Sequence, residues 1–318
     1  MGSSGAAQPS GSSRPLLVLA AIVAVLPLGL PNAYTYEIAI LVGLNAITCV
    51  GLNLLVGYAG QISLGHAGFF GLGAYGSAIL AARYGWPAAV SLPVAVAAVG
   101  ALAWAIGRPI LRLRGHALAM ATLGFGIIVS IVLATEDRVT GGPDGMAVPP
   151  LASFIRGEKT WYWLVGGALV ASVWMALNLI DSPRGRALRA LHGSEVAAGA
   201  LGIDAAAHKL SAFVLSAVLA AAAGGLAAHY AGFITPANAS FLHSIALVTM
   251  VVFGGMASTF GAVLGAAVLT TLPQLLASFK DYEMVLLGAV MMLTMIFMPR
   301  GLVPTVERAL AAARRRPE

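Results

Sequence analysis

The sequence predicts an all-α polytopic membrane protein with about eight to ten transmembrane helices, some of them broken by glycine or re-entrant. Three observations carry that prediction. Of 318 residues, 59% are hydrophobic and only 9% charged, with a mean hydropathy of +0.90. A soluble domain carries roughly a quarter charged residues, so an ordinary cytosolic enzyme is excluded. The apolar residues fall in runs that match the roughly 20 residues a helix needs to cross a hydrocarbon core. Finally, the basic residues gather at one set of run ends and the acidic residues avoid run centres.

Taken in order, residues 1–13, MGSSGAAQPSGSS, are rich in Gly and Ser and lack periodicity, as in a disordered tail or a cloning remnant. A single membrane domain then extends over 14–304. The run from Leu16 to Leu30 follows one Arg and is not followed by an A-x-A cleavage site, so it reads as an uncleaved first span rather than a signal peptide. Charge, proline and glycine delimit spans at 16–33, 38–56, 62–82, 87–107, 116–135, 161–180, 210–231, 243–260, 261–279 and 284–299. Between 243 and 279, Gly254, Gly255, Gly261 and Gly265 allow the chain to break or re-enter instead of crossing. A basic cytoplasmic tail, 305–318, closes the chain. The single Cys49 lies inside an apolar run, which makes it a buried core residue and precludes an intrachain disulfide.

With the N-terminus inside, thirteen Lys and Arg residues fall on the inner side, among them Arg14, Arg108, Arg184, Lys209 and Arg314, against five outside, Arg83, Arg138, Arg156, Lys159 and Lys280. That asymmetry predicts two cytoplasmic termini. It also accounts for the net charge of +6 through anionic lipid rather than nucleic acid. All twelve acidic residues sit at span ends or in loops. A carboxylate at a helix centre costs about 2.5–3.5 kcal/mol on insertion scales and is usually kept to carry a coupling ion, so its absence speaks against a proton-driven carrier. The chain lacks any Gly-Lys pair and hence a phosphate-binding loop. If a nucleotide powers it, the ATPase is another polypeptide.

The densest signal is GLNLLVGYAGQISLGHAGFFGLGAYGSAIL, residues 51–80. Glycines at 57, 60, 65, 68, 71, 73 and 76 keep one side of a helix free of bulk for a close neighbour. Tyr58, Gln61, Ser63 and His66 place polar groups where polarity is expensive, so they hydrogen-bond to other helices or line a wet path. His66 alone is more often a satisfied interhelical contact. A helix starting after Gly60 would present free N–H groups suited to a carboxylate.

The inner connection Asp181–Lys209 has its own pattern. Ser194 can cap a short helix, Glu195 suits its positive end and Gly202 can end it. The apolar face of Val196, Ala200 and Ile203 is too short to span, so it lies on the membrane or docks into a partner. The outer loop from Glu136 to Thr160 carries the turn sequence GGPDG; its mixed charges could meet an external protein, but a solvated loop is the first expectation. In MPRGLVP, 298–304, Pro299 and Gly301 end the last span.

These blocks, with LRLRGHALAMATLGFG, TGGPDGM, SPRGRALRALHGSEVAAGALGI, VVFGGMASTFGAVLGA and the closing PRGL, resemble the permease subunits of bacterial high-affinity branched-chain amino-acid ABC importers, the M-type subunits of Liv systems. The resemblance runs from about residue 40 to 304. It implies a heterodimer with a sister permease subunit, two cytoplasmic ABC ATPases that bind ATP and Mg, and a periplasmic or lipoprotein substrate-binding protein, in the bacterial inner membrane. The chain itself would hold no cofactor or metal and no catalytic residue, and would bind lipid but no nucleic acid. By correspondence, 182–209 is the segment that couples to an ATPase, with Glu195, Ala198, Gly199, Gly202 and Ile203 as contacts. Family members commonly carry a charged or amide pair before that Glu, whereas this chain reads Leu191-His192-Gly193-Ser194. Alternating access then implies a translocation lining of Gln61, Ser63, His66, Phe69, Thr122, Phe125, Thr249 and Phe253.

Importers of urea, short-chain amides or other amino acids share the same blocks. The ribose-type permeases fit the outer loop and PRGL tail less well. An ion-coupled carrier would want buried carboxylates, and an intramembrane hydrolase would want the G-x-S-x-G that this sequence lacks.

Overall fold

Each apolar run folds into a helix whose ends fall where glycine, proline or a polar cap interrupts it. The structure is a computed structural model that describes residues 13–276, except 30, 114, 153, 154 and 156, together with scattered positions between 285 and 305. The expected tail at 1–13, apart from Ser13, and most of the expected last span at 284–299 and basic tail at 305–318 lie outside the described residues.

Helix α1 (Ser13–Val25) ends in a 3-10 turn over Leu26–Gly29, and α2 (Ala33–Asn53) ends in a π-helical turn over Leu54–Tyr58. Then follow α3 (His66–Ala82), α4 (Ala88–Ile110) and α5 (His116–Thr135). The outer loop contains α6 (Asp137–Thr140), a 3-10 turn over Gly142–Asp144 and β1 (Met146–Ala147). The long α7 (Glu158–Asp181) leads to two short helices, α8 (Pro183–Gly193) and α9 (Glu195–Ala200), and to α10 (Ala205–Ala231). After β2 (Phe233–Ile234) and a 3-10 turn over Pro236–Ala239 come α11 (Phe241–Gly254) and α12 (Thr259–Leu276). Among the described residues, six helical stretches are long and apolar enough to cross a membrane: 33–58, 88–110, 116–135, 158–181, 205–231 and 259–276, with shorter apolar helices at 15–29 and 241–254. The chain is an all-α polytopic membrane protein.

Helix α10 lies at the centre, packed against α2, α3 and α4, while α2 packs in turn on α7 and α12. One apolar core joins Leu44 and Ile47 of α2 to Val165 and Leu169 of α7. A second joins Leu55, Phe69, Leu118, Leu188 and Phe213 around the α2–α3 break and α8. Exposed aliphatic side chains such as Ile128 and Ile131 on α5 mark a surface that lipid or another subunit covers.

The glycines of α3 do not share one side, as their spacing suggested. A Cβ at Gly68 would meet Gly126 of α5, at Gly71 it would meet Ala239, at Gly73 the Ala221 backbone of α10, and at Gly76 Ala95 of α4. The reason is that α3 is enclosed all round, so each neighbour needs its own gap. On α10, Gly224 meets the Phe70 carbonyl in the same way.

The glycines between 254 and 265 both break the chain and close a crossing. Helix α11 stops at Gly254, and a Cβ there would strike the Gly261 carbonyl, while one at Gly265 would strike that of Met250. With 14 residues and a rise of about 1.5 Å each, α11 is shorter than a full span. The turn after it is held to α2 by Ala257 N–H donating to Asn53 Oδ1 at 3.0 Å. Gly301, with φ +89°, packs on the Gly255 backbone and so closes against this turn.

The loop from Glu136 to Thr160 is docked rather than loosely solvated. Strand β1 pairs antiparallel with β2, Met146 opposite Ile234, and Val148 N–H donates to the Gly232 carbonyl at 2.9 Å. Gly141, Gly142 and Gly145 all take positive φ in the preceding turns.

Candidate functional site

The break between α2 and α3 positions most of the polar residues singled out by sequence. The π turn over 54–58 and the non-helical stretch 59–65 interrupt the helical path, and Gln61 N–H closes back on the Leu55 carbonyl at 3.0 Å. Gln61 Nε2 donates to the Ala59 carbonyl at 3.1 Å. Leu64 N–H donates to Thr122 Oγ1 at 3.1 Å, which pins the break to α5. At its end His66 is fully buried, with Nδ1 2.9 Å from Ser63 Oγ and Nε2 hydrogen-bonded to Ser216 Oγ on α10. A neutral imidazole has one donor and one acceptor nitrogen, and the two hydroxyls take the complementary roles. His66 is thus a satisfied interhelical contact.

Phe69 lies edge-on to His66, ring centroids 5.9 Å apart, and packs on Phe125 at 4.8 Å. Gln61, Ser63, His66, Phe69, Thr122 and Phe125 therefore form one neighbourhood. Within it Ser63, His66, Phe69 and Thr122 are buried, and Gln61 and Phe125 are partly exposed. Thr249 and Phe253 stand on α11, which meets this neighbourhood through Ser244. Thr249 is partly exposed and its hydroxyl donates to the Ile245 carbonyl, while Phe253 is buried.

The expected helix start after Gly60 is corrected. Helix α3 begins at His66, and the Ala67 N–H donates to Ser244 Oγ at 3.0 Å. A hydroxyl from α11 thus occupies part of the first turn proposed for a carboxylate.

The inner connection folds into two helices. Ser182 Oγ accepts from Gly185 N–H to cap α8, and Ser194 Oγ accepts from Ala197 N–H to cap α9. Gly202 takes φ +80° just beyond α9, so the cap and stop read from the sequence form as expected. Leu188 and Leu191 are buried against the bundle and anchor α8. Helix α9 stands outward, with Val196 80% and Leu201 81% exposed. Among the sequence-predicted contacts, Gly199 and Gly202 are exposed, Glu195 and Ile203 partly so, and Ala198 is buried. Leu201 escaped sequence reasoning because a strict helical face skips it; the turn after α9 swings it outward.

Glu195 is also bound within the chain. Its Oε2 accepts from Lys209 Nζ at 2.9 Å, and the Lys209 side chain is only 3% exposed. Sequence placed Lys209 in the connection; it belongs to the second turn of α10. Between this pair and the break lies a cavity of about 220 Å³ lined by Ala59, Gly60, Gln61, Gly115, Leu191, His192, Glu195 and Lys209. Among the described residues, no group of three or more His, Cys, Asp and Glu side chains is placed to hold a metal ion.

Against known proteins, residues 34–295 match the family described as the permease component of branched-chain amino acid transport systems. The chain belongs to this family. It is 36% identical over 258 residues to the high-affinity branched-chain amino acid transport system permease protein LivM of Salmonella typhimurium and to LivM of Escherichia coli, covering 73% of this chain and 61% of each relative. It is 28% identical over 236 residues to the permease protein LivH of Salmonella typhimurium, covering 67% of this chain and 74% of LivH. The match thus spans about three fifths of the LivM relatives (61%). No solved structure matches. Membership in this permease family agrees with the bundle of apolar helices and with the resemblance seen in the sequence blocks.

Proposed function

We propose that this chain is the membrane-spanning permease subunit of an ATP-binding-cassette importer that moves branched-chain amino acids inward by alternating access. Its partners on this reading are a sister permease subunit, two cytoplasmic ATPases that hold ATP and Mg, and a binding protein that delivers substrate from outside. The chain performs no covalent chemistry and sits in the bacterial inner membrane with both termini cytoplasmic.

The observation that carries the reading is α9. It is a capped helix of six residues, anchored through α8 to the bundle, and it projects Val196 and Leu201 away from the protein. Exposed apolar side chains beside exposed Gly199 and Gly202 suit insertion into a groove on a partner. On the same reading Gln61, Phe125 and Thr249, which keep exposed surface, face the path. Ser63, His66, Phe69, Thr122 and Phe253 stand behind them.

The test is uptake into vesicles by the reconstituted complex. Gly202→Trp, in a backbone with φ +80°, is expected to abolish uptake and substrate-stimulated ATP hydrolysis while membrane insertion persists. Uptake at the parental rate in that variant overturns the coupling assignment. Robust uptake by this chain alone, with no ATPase present, overturns the importer assignment in favour of an ion-coupled carrier.

A further inference from the structure

The inner cavity separates two elements that the reading above assigns to different tasks: the ATPase-facing α9 and the break at 59–65. Two contacts border the cavity, one from α9 to α10 and one from α8 to the break. The first is the Lys209–Glu195 pair, 2.9 Å long, with the ammonium almost wholly enclosed and the carboxylate at the first position of α9. A buried ammonium is costly to leave without its partner, so α9 cannot leave α10 freely. The second is at Gly60. Its φ is +65°, and a Cβ built there would lie 2.9 Å from His192 Nδ1. The imidazole at the end of α8 therefore rests directly on the backbone of the break, with no side chain between.

The break is the irregular part of this region. A π turn precedes it, and π turns mark local departures from regular helix pairing. Beyond it the chain passes directly to Ser63 and His66, which bond to α10. The cavity leaves room for the two sides to move relative to each other.

We propose that Lys209 and His192 are positioning residues that transmit displacement of α9 to the α2–α3 break, the ion pair tying α9 to α10 and the imidazole bearing on Gly60. This rests on the reading of α9 as the ATPase contact. It adds the route by which movement at that contact reaches the membrane domain.

The experiment uses the full reconstituted complex with its binding protein, reading ATPase co-purification, ATP hydrolysis and amino-acid uptake per ATP consumed. Lys209→Met is expected to leave the ATPases bound and hydrolysing within about twofold of parental, while uptake per ATP falls about tenfold. Lys209→Arg, which keeps the charge, is expected to stay within about threefold. His192 is exposed, so His192→Ala keeps the fold. It is expected to lower uptake per ATP at least about threefold with hydrolysis unchanged. Parental uptake per ATP in both Lys209→Met and His192→Ala overturns the proposal. So does a fall in uptake that merely tracks loss of assembled complex in both. If the parental chain fails to retain ATPases at all, the importer reading falls with it, and that result is seen before any variant is made.

Discussion

Ser77 Oγ on α3 lies 2.7 Å from His229 Nε2 on α10, and the far nitrogen of the same ring reaches the outer loop. The Pro149 carbonyl, 2.8 Å from His229 Nδ1, can only accept. Nδ1 therefore carries the proton, Nε2 is the acceptor, and Ser77 donates to it. The Ser77 oxygen then faces Ser91 Oγ on α4 at 3.1 Å, whose one proton is shared between Ser77 and the Ala88 carbonyl 3.2 Å away. A single ring thus joins the docked outer loop to three helices.

Replacing that ring removes the junction. His229→Phe keeps the bulk but leaves the Ser77 hydroxyl and the Pro149 carbonyl without this partner, at about 1–3 kcal/mol for each buried group left unsatisfied. We expect a lowered thermal midpoint in detergent. Hydrogen exchange is expected to accelerate at 142–149 before it does so in α7, which does not share the network.

The crossing of α3 and α10 makes a paired prediction. At Gly73 an added Cβ runs into the Ala221 backbone, which cannot rotate aside as a side chain can. Gly73→Ala is expected to cost about 1–3 kcal/mol as overpacking. At Gly124 of α5 nothing lies within 4 Å, so Gly124→Ala is expected to gain up to about 1 kcal/mol from helix propensity. Thermal unfolding of the two variants should shift the midpoint in opposite directions.

Much of this organisation is legible in sequence where it depends on local chemistry. Apolar runs located the described spanning helices, matching α5 at both ends and missing the end of α11 by six residues, and Ser194 and Gly202 marked the ends of α9 because a cap and a left-handed stop are set within one turn. What depends on distant partners was not legible. Spacing suggested a single glycine face on α3, but which glycine meets which helix follows from α4, α5 and α10 arriving separately. The start of α3 moved to His66 because Thr122 and Ser244, far along the chain, hold residues 64 and 67. Lys209 looked like a charge at a membrane end; its burial follows from Glu195 meeting it across a turn.

The exposed pair formed by Val196 of α9 and Leu201 of the turn after it separates docking from folding. Val196 and Leu201 are 80% and 81% exposed, so an aspartate at either costs little within this chain. Buried in a partner's groove, the same charge would be desolvated and unpaired. We expect Val196→Asp and Leu201→Asp to keep the parental thermal midpoint while weakening ATPase co-purification by about tenfold or more, as for a residue worth about 1.4 kcal/mol or more at an interface. Retention of the ATPases by the double variant would move the contact elsewhere.

His66 provides the last test, because its burial and its position next to the break point to different consequences. The ring is enclosed, bonded to Ser63 and Ser216, and edge-on to Phe69. In His66→Phe both hydroxyls lose a partner. Ser216 lies within α10 and can turn back to a carbonyl of its own helix, whereas Ser63 lies in the non-helical stretch and has no such recourse. The expected cost is therefore about 1–3 kcal/mol, mostly from one unsatisfied group. Ser216→Ala leaves the buried His66 Nε2 without its partner and should cost a comparable amount. If His66 supports the break without touching solute, uptake per folded complex stays within about twofold in both variants, since the loss is in the folded population and a stability change is not a transport change. A tenfold loss of uptake per folded complex in His66→Phe, with Ser216→Ala unaffected, would instead place the imidazole on the path itself.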